Sequence, residues 1–179
     1  MSKHYFIGIK IPAAAAAKLD ADRKSWNLTS HKRYTPAIDM HITLVFIGND
    51  AHGDIQETAK SLRNVEQAPF RLTVNGVKTF GNPSTPRIIY ASVENSMELN
   101  HLQQQVRQAL EPYRFHLDAK PFVPHITLAG KWKGGKPIEE QLAVEEQSFE
   151  VTEFSIFQIE PSEVPRYIPI HTYPLKAES

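Results

Sequence analysis

The same four residues, His-Ile-Thr-Leu, occur twice in this chain, within "DMHITLVFIG" (39–48) and "FVPHITLAG" (122–130). Both copies lie in short apolar stretches rich in β-branched residues, which indicates β-strands. Successive side chains of a strand point to opposite faces, so each copy presents Ile and Leu to one face and His and Thr to the other. We therefore expect both strands to bury their Ile and Leu side chains and to present His and Thr on a second face.

The predicted elements around the two motifs follow one another in a similar order. The first half reads as a strand, a helix, the first motif strand and a second helix, at 4–11, 12–26, 41–48 and 54–65. The second half reads as two strands, a helix, the second motif strand, a short helix and two strands, at 70–80, 87–93, 96–113, 125–130, 138–147, 149–159 and 166–175. The motif histidines, at 41 and 125, are separated by nearly half of the 179 residues, as expected for two similar lobes.

Strands outnumber the helices that could separate them, which favours an α+β fold with a mainly antiparallel sheet over a doubly wound fold. The length fits a single two-lobed domain over residues 1–179. If a pseudo-twofold axis relates the two lobes, the two His/Thr faces meet in a central cleft. The cleft would then hold two imidazoles and two hydroxyls.

The composition restricts the class of protein. Twenty basic and twenty acidic residues give a formal net charge of zero, so any anion site must be local. There are no cysteines, which excludes disulfides, thiolate catalysis and Cys-ligated zinc. No apolar run has the length of a signal peptide core or a membrane span. We expect a soluble, cytoplasmic protein with no membrane partner.

Two histidines facing one another suit displacement at phosphorus. With an unperturbed pKa near 6.5, one can act as a base towards water and the other as an acid towards the leaving oxygen. Threonine hydroxyls can donate hydrogen bonds to the phosphoryl oxygens. A metal site fits less well, because each strand supplies one good ligand with no partner at ligand spacing. We therefore expect no metal and no cofactor.

The segments "RYTPAIDMHITLVFIG" (33–48) and "KPFVPHITLAG" (120–130) resemble the two signature segments of the two-histidine phosphoesterase superfamily. They are most similar to its RNA 2′,3′-cyclic phosphodiesterases, the 2′-5′ RNA ligase family. The resemblance covers essentially the whole chain. It implies a two-lobed α+β fold with helices outside antiparallel sheets and both motifs on the floor of a cleft.

The resemblance also implies roles for the motif residues. Members of the family open a terminal 2′,3′-cyclic phosphate of RNA to a 2′-phosphate, and some join 2′-5′ linkages. By this similarity His41 donates a proton to the departing O3′, His125 activates water, and Thr43 and Thr127 hold the phosphate. The spacing of the motifs alone leaves open which histidine plays which part.

One position departs from the family pattern. Family members often carry an arginine just after the second motif, where this chain has Gly130 followed by Lys131. Lys131 is one candidate for the missing cation, although it should point to the other face of the strand. Arg33, Tyr34 and Tyr167 are further candidates for substrate contacts. Additional candidates near the cleft rim are Arg87, Phe122, Trp132, Lys133 and Arg166.

Two alternatives stay open beside hydrolysis of RNA cyclic phosphate ends. The first is a phosphodiesterase acting on a small cyclic nucleotide or on ADP-ribose cyclic phosphate. The second is a non-catalytic module that only binds RNA ends. The expected partners are accordingly RNA 3′ ends or small cyclic-phosphate nucleotides, and we expect a monomer.

Overall fold

The computed structural model describes residues 3–176, which form three α-helices and nine β-strands. The strands are β1 (His4–Lys10), β2 (His31–Tyr34), β3 (His41–Asn49), β4 (Phe70–Asn82), β5 (Thr85–Val93), β6 (His125–Trp132), β7 (Gln147–Val151), β8 (Glu153–Ile159) and β9 (Tyr167–Pro174). The helices are α1 (Ala13–Ser25), α2 (Ile55–Ser61) and α3 (Met97–Leu110), with short 3-10 turns at Ala37–Asp39 and Leu62–Asn64.

The sheet consists of two four-stranded halves that meet in the middle. Its order is β7-β4-β5-β6-β3-β1-β8-β9, with β2 paired to β6, and every pairing is antiparallel. The two motif strands, β3 and β6, lie at the centre and pair through Ile42 and Ile126. A twofold operation about this pair exchanges β3, β1, β8 and β9 with β6, β5, β4 and β7. The predicted α+β fold of two related lobes is confirmed.

The helices cover the face of the sheet to which the motif Ile and Leu side chains point. Helix α1 buries Leu19 and two alanines, and α3 buries an apolar stripe at Leu99, Leu102, Val106 and Leu110. The packing is crossed between the halves. Helix α1 lies between β1 and the first motif strand in the sequence, with β2 after it, but packs against β6 and β7. Helix α3 connects β5 to the second motif strand but packs against β3.

Each motif strand contains a β-bulge at the leucine of His-Ile-Thr-Leu. In β3, Gly8 pairs with Thr43 and Ile7 with Val45, so Leu44 has no opposing residue. In β6, the pairing with β5 steps from Thr127 to Ala129 and omits Leu128 in the same way. A bulge interrupts the alternation of side chains. Leucine and the residue after it are therefore both buried in each half.

A polar side chain from a helix donates a hydrogen bond to the carbonyl of each bulged leucine. Gln103 of α3 donates from Nε2 to the Leu44 oxygen at 3.3 Å. Arg23 of α1 donates from Nη1 to the Leu128 oxygen at 3.5 Å, and the backbone N–H of Thr35 donates to the same oxygen at 3.0 Å. Because a bulged residue leaves the strand ladder, these contacts replace the hydrogen bonds that the bulge removes.

The helix predicted over 138–147 is absent, and that prediction was wrong. Residues 138–146 are irregular, and their backbone groups bond to distant partners instead of forming helical turns. The N–H of Glu145 donates to the Asp22 carboxylate at 2.9 Å, and the Trp26 indole donates to the carbonyl of Ala143 at 3.1 Å. Glu145 and Glu146 would also place negative charge at the end of the helix where it is unfavourable.

The remaining differences concern element boundaries. The strand predicted over 149–159 is two strands separated at Thr152, because the chain moves there from the edge of one half to the other half. The segment 27–39, where no strand or helix was predicted, contains β2, which pairs with the end of β6. The other predicted strands and helices are present within a few residues. None of the three helices in residues 3–176 is long and apolar enough to cross a membrane.

Gly8 lies in β1 directly beside the first motif strand, where it is paired with Thr43. A Cβ atom built there would lie 2.6 Å from the Ile42 carbonyl oxygen and 3.1 Å from the Phe6 ring. We expect Gly8→Ala to lower the free energy of unfolding by about 1–3 kcal/mol, because the backbone oxygen cannot move aside. Urea denaturation measures this change.

The matched control is Gly130→Ala, since a Cβ there would meet no atom within 4 Å. We expect it to change the free energy of unfolding by no more than about 0.5 kcal/mol. Equal effects of the two substitutions would contradict the role assigned to the close approach at Gly8.

Candidate active site

The four polar residues of the two motifs share one face of the central strands. Continuing the antiparallel register from Ile42 and Ile126 places His41 opposite Thr127 and Thr43 opposite His125. All four side chains are half-buried, whereas the motif Ile and Leu side chains are buried on the other face. The structure therefore places the four residues as the alternation of side chains predicts.

The His41 imidazole lies between two aromatic rings. Phe6 of β1 stacks on it with centroids 4.6 Å apart, and Tyr167 of β9 meets it edge-on at 4.7 Å. The Phe6 ring also lies over Gly8, which has no side chain to occupy that space. Gly8 therefore gives the Phe6 ring access to the histidine.

The His125 imidazole has a different pair of aromatic neighbours. Phe80 of β4 and Tyr90 of β5 meet it edge-on at 5.0 and 5.3 Å, and they pack against one another at 4.5 Å. Tyr90 is paired with Thr127 as Gly8 is paired with Thr43. The two halves thus surround equivalent histidines with rings from different positions.

Both imidazoles are oriented by a backbone carbonyl two residues earlier. Nδ1 of His41 lies 2.9 Å from the Asp39 oxygen, and Nδ1 of His125 lies 2.7 Å from the Val123 oxygen. Because a carbonyl only accepts, Nδ1 carries the hydrogen and Nε2 of a neutral ring holds the lone pair. The Thr43 hydroxyl donates to Nε2 of His41 at 3.1 Å. Each histidine can therefore take up or release a proton at Nε2.

The carboxylate of Asp39 adds a second anchor in the first half alone. It is buried, and its Oδ1 accepts hydrogen bonds from the backbone N–H groups of Arg166 at 2.9 Å and Tyr167 at 3.4 Å. The Asp39 residue consequently binds both His41 and the strand that carries the Tyr167 ring. Its counterpart Val123 is an exposed apolar residue and provides no such anchor.

Burial changes the proton affinity of the first histidine. Removal from water between its aromatic neighbours lowers the pKa of His41 from 6.5 to about 4. The hydrogen bond to the Asp39 carbonyl opposes this effect, and the charge of His125 adds to it. His41 is therefore neutral at pH 7 in the unliganded protein.

Arg33 and Tyr34, both predicted substrate contacts, lie on opposite faces of β2. Arg33 pairs with Gly130, which shares the face of His125 and Thr127, and it is half-buried. Tyr34 faces α1, where the Arg23 guanidinium lies 5.8 Å from its ring centroid. The structure thus brings Arg33 to the cleft side of the sheet and does not bring Tyr34 there.

The other predicted substrate contacts differ in whether they lie against a motif residue. Tyr167 contacts His41 directly. Lys131 is exposed, with a left-handed φ of 62°. Elsewhere, Arg87 and Lys133 are exposed, Phe122 packs against the core, Trp132 packs against His31, and Arg166 binds the carbonyl of Pro161.

Sequence reasoning missed several residues of the cleft face. They are Phe6, Lys10, Phe46, Phe80, Tyr90 and Ser92, which share that face through strand register. Lys10 pairs with His41, and Ser92 pairs with His125. Most of these residues come from neighbouring strands and had no signal in the sequence. Within residues 3–176, no three His, Asp or Glu side chains converge as metal ligands would.

A two-lobed antiparallel sheet with a His-x-Thr strand from each lobe in one cleft defines the class of two-histidine phosphoesterases. The sequence model of the 2'-5' RNA ligase superfamily matches residues 12–163, and the chain belongs to this family. The family resemblance seen in the sequence is thereby confirmed.

Similar proteins include two that carry the name RNA 2',3'-cyclic phosphodiesterase. That of Bacillus subtilis (strain 168) is 30% identical, and the match covers 96% of both chains. That of Geobacillus stearothermophilus is 33% identical over 96% of this chain, which spans 57% of the length of that relative.

Solved structures share the fold. E. coli LigT complexed with 3'-AMP superposes with a TM-score of 0.85 at 21% identity, covering 98% of this chain and 99% of the other. The protein TT0787 of Thermus thermophilus superposes with a TM-score of 0.81 at 24% identity, covering 98% and 100%.

The lowered pKa of His41 makes stability depend on pH. Between about pH 6.5 and pH 4 the unfolded chain binds the His41 proton more tightly than the folded protein does. This contribution therefore falls as the pH falls, by up to about 3 kcal/mol. We expect His41→Gln to remove this part of the slope when unfolding by urea is measured at several pH values.

The control is His101→Gln, which removes an exposed histidine of α3. We expect this variant to keep the His41-dependent part of the slope. An unchanged slope in His41→Gln would show that burial does not penalise the charged form of His41.

Proposed function

We propose that this chain hydrolyses the 2′,3′-cyclic phosphate at RNA 3′ ends to a 2′-phosphate, by acid–base catalysis between His41 and His125. One observation carries the proposal: both histidines have Nδ1 bound to a carbonyl and share a face with two threonines. The names of the relatives from Bacillus subtilis and Geobacillus stearothermophilus support a cyclic phosphodiesterase.

The proposed reaction is one displacement at phosphorus. Nε2 of His125 takes a proton from water while the water oxygen bonds to phosphorus. The bond from phosphorus to O3′ breaks, and O3′ takes a proton from Nε2 of His41. The product carries a 2′-phosphate and a free 3′-hydroxyl. The assignment of donor and acceptor rests on the family resemblance.

His41 must gain its proton when the substrate binds, because it is neutral in the unliganded protein. The cyclic phosphate is an anion, and a negative charge close to an imidazole raises its pKa. The same aromatic neighbours that exclude water strengthen this attraction. Substrate binding and protonation of the acid are therefore coupled in the proposal.

Two kinds of group are proposed to hold the phosphate. The hydroxyls of Thr43 and Thr127 donate hydrogen bonds to its non-bridging oxygens. Arg33 supplies the cation, because it pairs with Gly130 on the cleft face and forms no ion pair with an acid within residues 3–176. The Arg33 guanidinium on β2 thus takes the place of the arginine that family members often carry at the position of Gly130.

The proposal also covers the substrate, the oligomeric state and the cellular location. RNA ends are preferred over small cyclic nucleotides or ADP-ribose cyclic phosphate on the strength of the relatives' names alone. We also propose a monomer acting in the cytoplasm. A binding-only module would need the same four cleft residues but no proton transfer.

The test uses an RNA oligomer that ends in a 2′,3′-cyclic phosphate, incubated with the protein in excess EDTA. We expect conversion to the 2′-phosphate, read by ³¹P NMR. His41→Ala and His125→Ala should each lower kcat by about 10²–10⁴ because each removes a proton-transfer group. Both variants should still bind the oligomer.

The matched control is His101→Ala, which should turn over the oligomer at the rate of the unmodified protein. Binding without hydrolysis by the unmodified protein would favour the binding-only module. A 3′-phosphate product would contradict O3′ as leaving group, and loss of turnover with EDTA would contradict the metal-independent mechanism.

The role of Arg33 is tested by removing the cation and restoring it at another position. We expect Arg33→Ala to lower kcat/KM by about 10- to 100-fold, the loss expected for a charged hydrogen bond. Adding Gly130→Arg should recover part of this activity, because space around Gly130 is open. Steady-state turnover of the oligomer measures both effects.

Arg87→Ala serves as the control, because Arg87 is an exposed arginine that is paired with neither Gly130 nor a motif residue. It should leave kcat/KM unchanged. An Arg33→Ala protein with full activity would exclude Arg33 as the phosphate cation.

A further inference from the structure

The carboxylate of Asp39 bonds to a different element from its backbone carbonyl. The carbonyl lies 2.9 Å from Nδ1 of His41, whereas the carboxylate contacts the start of β9. Its Oδ1 accepts the backbone N–H of Arg166 at 2.9 Å and that of Tyr167 at 3.4 Å. One residue therefore contacts both the imidazole and the strand whose ring covers that imidazole.

Burial makes the Asp39 carboxylate dependent on these two contacts. The residue is 4% exposed, and a carboxylate that is removed from water needs hydrogen bonds in compensation. No ion pair joins Asp39 to a basic side chain within residues 3–176. The two backbone N–H groups of β9 therefore supply the compensation, and displacement of β9 would leave a buried charge without it.

The Tyr167 ring is the less firmly held of the two rings on His41. Phe6 is 2% exposed and stacks on Phe157 within the sheet. Tyr167 is half-buried and is the first residue of β9, an edge strand that pairs with β8 alone. Strand ends with few contacts open easily. The hydrogen bonds to Asp39 give this end of β9 a second support.

The second half of the cleft has no equivalent anchor. Val123, the counterpart of Asp39, is exposed and apolar. The rings on His125 are those of Phe80 and Tyr90, and they come from β4 and β5, which are paired on both sides. The anchor is therefore found in the half where an aromatic cover comes from an edge strand.

We propose that Asp39 is a positioning residue for the catalytic acid: its carboxylate holds the start of β9 so that the Tyr167 ring excludes water from His41. The catalytic part of this inference rests on the proposed function. An imidazolium shielded from water attracts the phosphate more strongly, and no water competes with O3′ for its proton. Asp39 thus acts on the reaction through Tyr167 without touching the substrate.

The charge of Asp39 and its anchoring role have opposite effects on His41. The titratable or charged groups on the elements around His41 are Asp39, Lys10 of β1, Arg33 of β2, His125 of β6 and Tyr167 of β9. Burial lowers the pKa of His41, and the negative charge of Asp39 raises it more weakly. Loss of the charge alone would therefore lower this pKa further, whereas loss of the cover would raise it.

The experiment measures the pKa of His41 in the unliganded protein, by titration of the imidazole signals in ¹H–¹⁵N correlation spectra. Asp39→Asn keeps an oxygen that can accept both N–H groups, so the pKa of His41 should stay at or below about 4. Asp39→Ala removes the acceptor and admits water. We expect it to raise the pKa of His41 by about 1 or more, towards the unperturbed value.

Tyr167→Ala removes the ring and leaves the anchor in place. It should raise the pKa of His41 as much as Asp39→Ala does. Adding Asp39→Ala to Tyr167→Ala should cause no further rise, because both residues act through the same cover. If Asp39→Ala does not fold, Asp39→Ser replaces it, since the shorter side chain cannot reach both N–H groups.

Three results would overturn the anchor. They are an unchanged pKa of His41 in Tyr167→Ala, an unchanged or lower pKa in Asp39→Ala, and equal rises in Asp39→Asn and Asp39→Ala. The matched control is Asp22→Ala on α1, outside the cleft. Its carboxylate also accepts a backbone N–H from a distant segment, that of Glu145 at 2.9 Å. It should leave the pKa of His41 and the turnover rate unchanged.

Turnover of the RNA oligomer tests the catalytic consequence. We expect Asp39→Ala to lower kcat about tenfold and to change KM by less than about twofold, because the groups that hold the phosphate remain. Asp39→Asn should keep most of the kcat of the unmodified protein. If the unmodified protein does not hydrolyse the oligomer, the proposed function fails, and the titration still decides on the anchor. If hydrolysis occurs and Asp39→Ala keeps its kcat, the positioning role alone fails.

Discussion

The contact between Ile42 and Ile126 joins the two halves of the sheet, and the geometry of the cleft depends on it. With this pair in register, each histidine lies opposite the threonine of the other strand. Side chains alternate along a strand, so a shift of one residue would turn one His and Thr pair into the core. The buried isoleucines prevent such a shift, because the shift would expose them to water. Burial of two aliphatic side chains thus fixes the position of four polar ones.

The leucine of each motif determines which side chains of its strand are buried beyond the motif. Because Leu44 and Leu128 are bulged, each strand can bury two consecutive residues and then return the next residue, Phe46 or Gly130, to the cleft face. The unpaired carbonyls are bound by Gln103 and Arg23. Each residue of His-Ile-Thr-Leu therefore has a structural role. His and Thr face the cleft, Ile pairs the two halves of the sheet, and Leu forms the bulge.

The sequence predicted the parts of the site that depend on local periodicity. His41 and Thr43 share a face because alternation holds over three residues, and the same is true of the second motif. Simple alternation does not hold as far as Phe46, because the bulge at Leu44 lies between Thr43 and Phe46. The aromatic neighbours could not be predicted, since Phe80 and Tyr167 approach from strands distant in sequence. The irregular segment 138–146 was mistaken for a helix because its tertiary hydrogen bonds have no signature in composition.

The different surroundings of the two histidines also depend on residues distant in sequence. The Asp39 carboxylate accepts hydrogen bonds from the backbone of Arg166 and Tyr167, more than a hundred residues away, and the Tyr167 ring packs against His41.

The crossed packing of α1 and α3 makes the lobes mutually dependent. Each connecting helix supports the motif strand of the opposite lobe, as arms exchanged between the subunits of a swapped dimer would do. A single lobe cut from the chain would keep its own histidine but lose the helix beneath that strand. It would also expose the apolar face that the lost helix covers. The packing of each motif strand thus depends on a helix that the other lobe supplies.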